Sequence, residues 1–247
     1  MSTSNTHAPS VQTQRIGRML LVHGLGVPAL LATIALFLHY SGWDQRISAA
    51  LFDPGLQQFP ARQWPGFDLL GHRIAKSIVF GLWFVLLGAA LAAPKIERLR
   101  AHRSLLWASV AAMAIGPTVV VALKSLNSIH CPWDLKPFGG TADFTYDWFV
   151  SAADAGRCFP GGHAAGGFSL AALYFAGWAL DHATLRRAGL AATLIAGVVF
   201  SAVRVMQGAH FVSHNLWAAA IDWSTAAIVF AVWAMQQRTR TPARLTP

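Results

Sequence analysis

Three clusters of residues have the types and the spacing that suit the binding and attack of a phosphate group. Lys124 begins the first cluster, residues 156–163 form the second, and the third contains Arg204, His210 and His214. Arg offers phosphate oxygens a planar fork of donors and Lys offers a point charge. His can act as a nucleophile or a proton donor near neutral pH. Because phosphoryl transfer needs mainly positioning and charge stabilisation, these residue types favour phosphate chemistry.

The second cluster adds backbone donors. Pro160-Gly161-Gly162 precedes a predicted helix, and free N–H groups at the positive end of a helix attract anions. Each cluster alone is more typical of a membrane anchor, a loop or an interface histidine. Their convergence on one face of the membrane indicates a shared site. We expect five residues to bind the phosphate: Lys124, Arg157, Gly161, Gly162 and Arg204.

Composition defines the class of protein that must carry these clusters. Of the 247 residues, 55% are hydrophobic and 12% are charged, whereas a soluble domain is about 45–50% apolar and about 25% charged. These figures exclude disorder and argue against a soluble enzyme. The length allows roughly six spans of about 20 residues each. Since backbone groups in hydrocarbon must be paired within a segment, each span is predicted to be a helix.

The predicted fold is therefore all-α, a six-helix transmembrane bundle with two longer periplasmic loops, 41–76 and 125–163. The six predicted spans are residues 19–38, 77–93, 105–123, 164–180, 188–203 and 216–235. We predict a polar cytoplasmic tail at 1–18, a catalytic domain at 19–235 and a basic cytoplasmic tail at 236–247. The first span is longer than a signal-peptide core, so we interpret it as retained.

Basic residues settle the predicted orientation. They lie before the first span, after the last, and in alternate connections: Arg15, Arg18, Lys95, Arg98, Arg100, Arg103, Arg186, Arg187, Arg238, Arg240 and Arg244. The positive-inside rule makes these segments cytoplasmic, with both termini inside. Topology thus explains the net charge of +9 without nucleic acid. All three clusters then lie at the outer face of a bacterial inner membrane.

The clusters resemble the three motifs of the type-2 phosphatidic acid phosphatase superfamily, which also includes vanadium haloperoxidases. The family's first motif, Lys followed after six residues by Arg-Pro, corresponds to Lys124 and Cys131-Pro132. Its second motif, Pro-Ser-Gly-His, corresponds to Pro160-Gly161-Gly162-His163. Its third, Ser-Arg, five residues, His, three residues, Asp, corresponds to Val203-Arg204, His210 and His214. Order and spacing are both preserved.

The resemblance implies a mechanism and a substrate class. His210 would attack phosphorus to form a phosphohistidine that water hydrolyses, and His163 would protonate the leaving oxygen. Lys124, Arg204 and the two glycine amides would hold the phosphate, with no metal or other cofactor. The expected substrate and partner is a phosphorylated membrane lipid, such as undecaprenyl pyrophosphate, phosphatidylglycerol phosphate or lipid A. The bilayer is the other expected partner, and we predict no obligate protein partner.

Four positions depart from the family pattern: Cys131, Gly161, Val203 and His214. Arg157 could replace the arginine that Cys131 displaces. His214 stands where an aspartate would orient the nucleophile and favour its charged form, and a neutral imidazole cannot supply that charge. Either His214 orients His210 while Asp134, Asp143 or Asp147 supplies the charge, or the enzyme is weak, transfers phosphate to another lipid, or is inactive.

Two further questions concern the cysteines and the class of function. Cys131 and Cys158 are the only cysteines; in an oxidising periplasm we expect them to pair, and two buried free thiols are the alternative. The competing functions are a lipid phosphotransferase and an anion-binding membrane transporter without enzymatic activity. Haem binding is disfavoured because the histidines cluster on one side.

Overall fold

Helices make up the regular structure of the protein. The computed structural model describes residues 11–68, 75–146, 148 and 156–240. Within those ranges there are helices, short helical turns and two isolated β-bridges, Asp53–Gln58 and Leu135–Ala142, but no β-strand. The prediction of an all-α fold is confirmed for this part of the chain.

Seven helical regions carry the architecture of the described part of the chain. The first, α1, runs through Val11–Met19, a π-helical segment Leu20–Gly26 and Val27–Tyr40. The next three are α2 (Trp43–Leu51), α3 (Ala75–Ala92) and α4 (Arg103–Lys124). α5 consists of two segments, Gly162–Phe168 and Ala171–Ala179, and is followed by α6 (Ala183–Met206) and α7 (Val212–Arg240). Short turns occupy Pro60–Gln63, Pro65–Asp68, Glu97–Arg100, Pro132–Asp134 and Lys136–Phe138.

Four helices are long and apolar enough to cross a membrane: Thr13–Tyr40, Arg103–Lys124, Ala183–Met206 and Val212–Thr239. They contain the predicted spans one, three, five and six, and they indicate an integral membrane protein. A shorter apolar helix, Lys76–Ala92, occupies the second predicted span. The fourth predicted span, residues 164–180, is occupied by a helix that is divided at residues 169 and 170. The count of six spans therefore stays a prediction.

The ends of the first and last helices differ from the predicted tails. α1 begins at Val11, inside the predicted polar tail, because Ile16 and Met19 pack into the core. α7 continues to Arg240, five residues past the predicted end of the sixth span. Residues 1–10 and 241–247 lie outside the described chain.

α7 is the central helix of the bundle. It packs against α1, α4 and both segments of α5, while α6 packs mainly on α5 and α3 on α4. Glycines bring α5 and α6 into main-chain contact, because a Cβ at Gly177 or Gly189 would collide with the backbone of the facing helix. Small residues commonly allow such close approach between membrane helices.

Polar contacts at the two ends of the bundle agree with the predicted connectivity. At one end, Arg15 at the start of α1 forms an ion pair of 3.0 Å with Asp181 in the α5–α6 connection. At the same predicted side, the Trp233 Nε1–H of α7 donates to Ser104 Oγ of α4 at 3.2 Å. At the other end, the Trp148 Nε1–H donates to the hydroxyl oxygen of Tyr40 at 2.9 Å.

A glycine at the α4–α7 contact offers a test of this packing. A Cβ at Gly116 would overlap Asp222 Oδ1 and lie 3.1 Å from the Asp222 Cα. We expect Gly116→Ala to lower the free energy of unfolding by about 1–3 kcal/mol, the usual cost of overpacking. The measurement is the thermal unfolding midpoint of the detergent-solubilised protein, followed by circular dichroism.

Gly88→Ala is the matched control, because nothing lies within 4 Å of a Cβ at that helical position. Its unfolding midpoint is expected to stay unchanged or to rise slightly, since Ala is a better helix former than Gly. Equal midpoints for the two variants would contradict the close α4–α7 contact.

Candidate active site

Main-chain hydrogen bonds tie together the three segments that carry the predicted site. We call these the lysine segment (124–138), the glycine segment (156–163) and the histidine segment (204–214). Main-chain hydrogen bonds join every pair of segments, among them Trp133 N–H to Gly208 O at 3.0 Å, Cys158 N–H to Ile129 O at 3.2 Å, and Gly161 N–H to His214 O at 3.0 Å. Residues distant in sequence are thereby held at one end of the bundle.

A disulfide between Cys131 and Cys158 reinforces these ties, with a Cα–Cα distance of 5.1 Å. It links the lysine segment to the glycine segment. The Cys158 sulfur also contacts the histidine segment, at 3.2 Å from the Ala209 carbonyl oxygen and 3.4 Å from His210 Nδ1. The disulfide therefore touches all three segments.

Two glycines allow the close approach of these segments. A Cβ at Gly156 would lie against the carbonyl groups of Ser128 and Ile129, and one at Gly161 would overlap the Asn215 side chain. Any larger residue at either position would push the glycine segment away from its neighbours.

His210 lies at the centre of the cluster, between the end of α6 and the start of α7, and its side chain is buried. The pKa of His210 is held well below its usual value, first by burial and then by four basic neighbours: Lys124, His214, Arg204 and His163. No carboxylate of the described chain is among the groups that act on it. His210 is therefore neutral at pH 7, with a lone pair on one ring nitrogen.

Two cations converge on this neutral histidine. The Lys124 Nζ lies 3.6 Å from the position that a Cβ would take at Gly162. Arg204, in the last turn of α6, donates from Nη1 to Gln207 Oε1 at 2.8 Å, and its charge acts on Lys124. The Arg204 guanidinium also lies 5.4 Å from the centre of the Trp133 ring. These contacts fix the direction of the Arg204 side chain.

The glycine segment, 156–163, carries four residues of the predicted site. His163 lies in the first turn of α5, half-buried, and its charge acts on His210. The Gly161 N–H donates to the His214 carbonyl, so the structure leaves Gly162 as the glycine whose amide retains the predicted role. Arg157 is exposed, with a φ of 55°, and is not among the groups that act on His210. Its position gives no support to its predicted contact with phosphate.

His214 lies in the first turn of α7 and is fully buried. Its ring centre is 5.8 Å from that of His210, and the edges of Phe159 and Phe211 pack around it at 5.4 Å and 5.2 Å. Neither ring nitrogen has a hydrogen-bond partner of normal geometry in the described chain, although the Cys158 backbone interacts with the ring. His214 contributes packing to the environment of His210.

Asp44 is the buried acid beside this segment, and the sequence analysis did not single it out. Its carboxylate accepts the Ser213 N–H at 3.2 Å and also the Ser213 hydroxyl, so α2 holds the first turn of α7. Burial raises the pKa of Asp44, while the hydrogen bonds from Ser213 and Val212 oppose that rise.

The acids that were expected to supply charge lie elsewhere or outside the described chain. Asp143 forms an exposed ion pair with Lys136 at 2.8 Å, Asp134 does not act on His210, and Asp147 lies outside the described residues. This expectation therefore gains no support. Other residues whose place near the site the sequence did not indicate are His39, which is fully buried against Trp148, and Arg62, whose guanidinium lies 4.5 Å from the Trp133 ring centre. Their distance from the motifs along the chain concealed them.

One group of residues in the described chain has metal-ligand spacing. The sulfurs of Cys131 and Cys158 and a ring nitrogen of His210 lie within 4.8 Å of one another. The two sulfurs are bonded to each other, so this group offers no thiolate to a metal.

An apolar groove of about 360 Å³ opens beside the site. It lies between α1, α4 and α7 and is lined by Leu36, Leu123, Asn127, Trp148, Phe159, Trp217 and Ile221. Leu123 adjoins Lys124 in sequence, and the Phe159 ring contacts His214. Phe159 therefore lines the groove and also packs against the histidine segment.

Comparison with known families places this geometry in context. The family model of the PAP2 superfamily matches residues 105–238, which is more than half of the chain and includes all three segments. No curated protein and no solved structure matches the chain. The match agrees with the resemblance of the three motifs and with the membrane-spanning helices. The chain belongs to the PAP2 superfamily, and this membership suggests phosphatase activity.

Proposed function

We propose that this protein is an integral-membrane phosphatase that hydrolyses a lipid phosphate or pyrophosphate at the periplasmic face, through a phosphohistidine formed on His210. The observation that carries this proposal is a buried, neutral histidine on which the charges of Lys124, Arg204 and His163 all act. A neutral imidazole is a nucleophile, and the cations around it favour an anionic substrate over other electrophiles.

The chemistry proceeds in two steps. A ring nitrogen of His210 attacks phosphorus and forms a P–N bond, while the bond to the leaving oxygen breaks and His163 gives that oxygen a proton. Water then attacks the phosphohistidine, His163 takes a proton from that water, and inorganic phosphate leaves with His210 restored. The same residue serves as acid and then as base, as microscopic reversibility requires.

Lys124, Arg204 and the Gly162 amide stabilise the charge on the phosphoryl oxygens. Preorganised donors in a site with little water stabilise a transition state more strongly than donors in bulk water. Hydrogen bonding to Gln207 and stacking near Trp133 hold the Arg204 guanidinium in place before substrate binds.

The groove between α1, α4 and α7 supports a lipid substrate. Its lining is almost wholly apolar and includes Leu123, which precedes Lys124 in the sequence, and Phe159, whose ring contacts His214. A lipid tail in this groove would place its phosphate at the cationic cluster without leaving the bilayer. Undecaprenyl pyrophosphate, phosphatidylglycerol phosphate and lipid A share the required chemistry, a phosphate on a large apolar body.

The bacterial inner membrane and a periplasmic site follow from charge and from cysteine chemistry. Arg15, Arg98 and Arg186 lie at the end of the bundle opposite His210, as the positive-inside rule requires for a cytoplasmic side. A disulfide beside the site suits an oxidising compartment. If the shorter α3 and the divided α5 also cross the membrane, the chain crosses it six times. An even number of crossings puts both ends of the chain in the cytoplasm.

Replacement of the histidines tests the mechanism. We expect His210→Ala to abolish phosphate release, because it removes the nucleophile, and His214→Ala to reduce it partly. The assay measures inorganic phosphate released by purified protein from a panel of phosphorylated lipids without added metal. A ³²P-labelled substrate should leave acid-labile, base-stable label on the wild type and none on His210→Ala.

Soluble p-nitrophenyl phosphate has no lipid tail to enter the groove, so it is the control substrate for the lipid panel. An unchanged unfolding midpoint shows that each variant is folded. Full activity in His210→Ala would overturn the assignment. Label transfer to an added lipid alcohol, with no free phosphate, would favour a phosphotransferase, and anion binding without turnover would favour a transporter.

The two arginines predicted to bind phosphate should differ. We expect Arg204→Ala to reduce kcat/KM by roughly 10²–10³-fold, the usual loss when one preorganised donor to an oxyanion is removed. Arg157→Ala should change it by less than about fivefold, the effect of a screened surface charge. Both variants are measured on the same lipid at fixed ionic strength. Equal losses would show that Arg157 reaches the phosphate.

The pH profile reports the protonation of the nucleophile. Because the pKa of His210 is lowered, the ring stays neutral below the usual histidine value of about 6.5 and loses activity only as the pH falls through the lowered pKa. We expect the acid limb of kcat/KM, corrected for substrate ionisation, to lie clearly below pH 6.5. An acid limb at or above the usual histidine value would contradict the buried, cationic environment of His210.

A further inference from the structure

We propose that the Cys131–Cys158 disulfide positions the nucleophile: the Cys158 sulfur accepts the Nδ1–H of His210 and thereby keeps the lone pair on Nε2, so that catalysis requires the oxidised disulfide. The kinetic part of this inference rests on the proposed function of His210. The position of the proton on the His210 ring does not depend on that proposed function. It can be measured in a protein that shows no turnover.

The contact itself fixes the direction of the hydrogen bond. Cys158 Sγ lies 3.4 Å from His210 Nδ1, and both side chains are buried. A sulfur bonded to carbon and to a second sulfur carries no hydrogen, so it can only accept. The hydrogen of this contact therefore belongs to His210 Nδ1.

This assignment determines which nitrogen can attack phosphorus. A neutral imidazole has one proton, and the hydrogen bond at one nitrogen sets the tautomer. With the proton on Nδ1, Nε2 has the lone pair. His214, at the position of the family's aspartate, does not replace the sulfur: neither of its nitrogens has a hydrogen-bond partner of normal geometry within the described residues, and its ring centre lies 5.8 Å from that of His210. The lowered pKa of His210 agrees with a single ring proton.

Reduction of the disulfide changes the group that faces Nδ1. A dithiol such as dithiothreitol attacks the half-buried Cys131 sulfur, the S–S bond breaks, and Cys158 leaves as a thiolate that takes a proton. The second thiol of the reductant then releases Cys131, with two electrons and two protons passed to the protein and a cyclic disulfide left behind. The new Cys158 S–H can donate to Nδ1, and that arrangement puts the ring proton on Nε2.

The first experiment measures the tautomer directly. Protein labelled with ¹⁵N-histidine is studied by NMR in detergent, and the His210 signals are identified by their loss in His210→Gln. We expect Nδ1 protonated and Nε2 bare in the oxidised protein, and protonation of Nε2 to rise on reduction. A proton on Nε2 in the oxidised protein would overturn the proposal, whether or not the protein is a phosphatase.

The second experiment measures kinetics. We expect reduction to lower kcat by at least about tenfold, a smaller effect than the roughly 10⁴-fold loss seen where a catalytic histidine loses an orienting carboxylate. The value of KM should stay unchanged, because Lys124 and Arg204 still bind the phosphate. An unchanged kcat in protein whose thiols are shown to be free would contradict the role of the sulfur.

A chemical rescue separates the sulfur from the cross-link. Cys131→Gly leaves Cys158 as the single cysteine, and methyl methanethiosulfonate converts it to Cys158–S–S–CH₃ with release of methanesulfinate. The added S–CH₃ replaces the sulfur and Cβ of Cys131 but does not connect the two segments. We expect the untreated variant to be slow and insensitive to reductant, and the treated variant to recover both kcat and the Nδ1 proton.

Two results of the rescue would count against the proposal. Recovery of neither kcat nor the tautomer, with an unfolding midpoint equal to that of the untreated variant, would show that the disulfide acts only as a cross-link. Activity in untreated Cys131→Gly equal to that of the oxidised wild type would show that no sulfur acceptor is needed. If instead no form of the protein releases phosphate while His210 carries its proton on Nδ1, the proposed function fails and the positioning contact stands.

Discussion

Main-chain hydrogen bonds and one disulfide join the segments that carry Lys124, His163 and His210. A bilayer forces helices on the chain that crosses it, because unpaired backbone groups in hydrocarbon are costly. Irregular backbone, and the varied side-chain directions that a catalytic cluster needs, are therefore confined to the places where helices end. Since each of those ends belongs to a different part of the bundle, the site depends on the ties between them.

The electrostatic character of the site follows from what those ties bring together. Lys124 and Arg204 approach a histidine that burial keeps neutral, and the described acids lie outside the range at which they would act on it. Two positive charges at close range repel each other in the protein without substrate. A phosphate dianion that binds between them is attracted by both, and this attraction offsets the repulsion. The replacement of the family's aspartate by His214 is consistent with this balance, because a carboxylate there would offset part of the attraction for phosphate.

Much of this architecture could be predicted from the sequence. Hydrophobic runs located the long helices, and fixed spacings located Lys124, Arg204 and His210, because periodicity and motif spacing are local properties of a chain. The roles of Arg157 and Gly161 were harder to predict, because they depend on a backbone φ and on a partner 53 residues away. Asp44 and His39 were missed for the same reason, since only tertiary packing brings them to the histidine segment.

The carboxylate of Asp44 lies outside residues 105–238, the part of the chain that carries the family's pattern, yet it holds Ser213 inside that part. Residues 105–238 are thus not a self-contained module, because their packing depends on a residue that precedes them. If α7 were transferred into a related protein, it would keep His214 but lose the Asp44 carboxylate that accepts hydrogen bonds from Ser213. The related protein would then have to supply a carboxylate of its own at that position. The opening hundred residues thereby restrict which variants of the site this chain can tolerate.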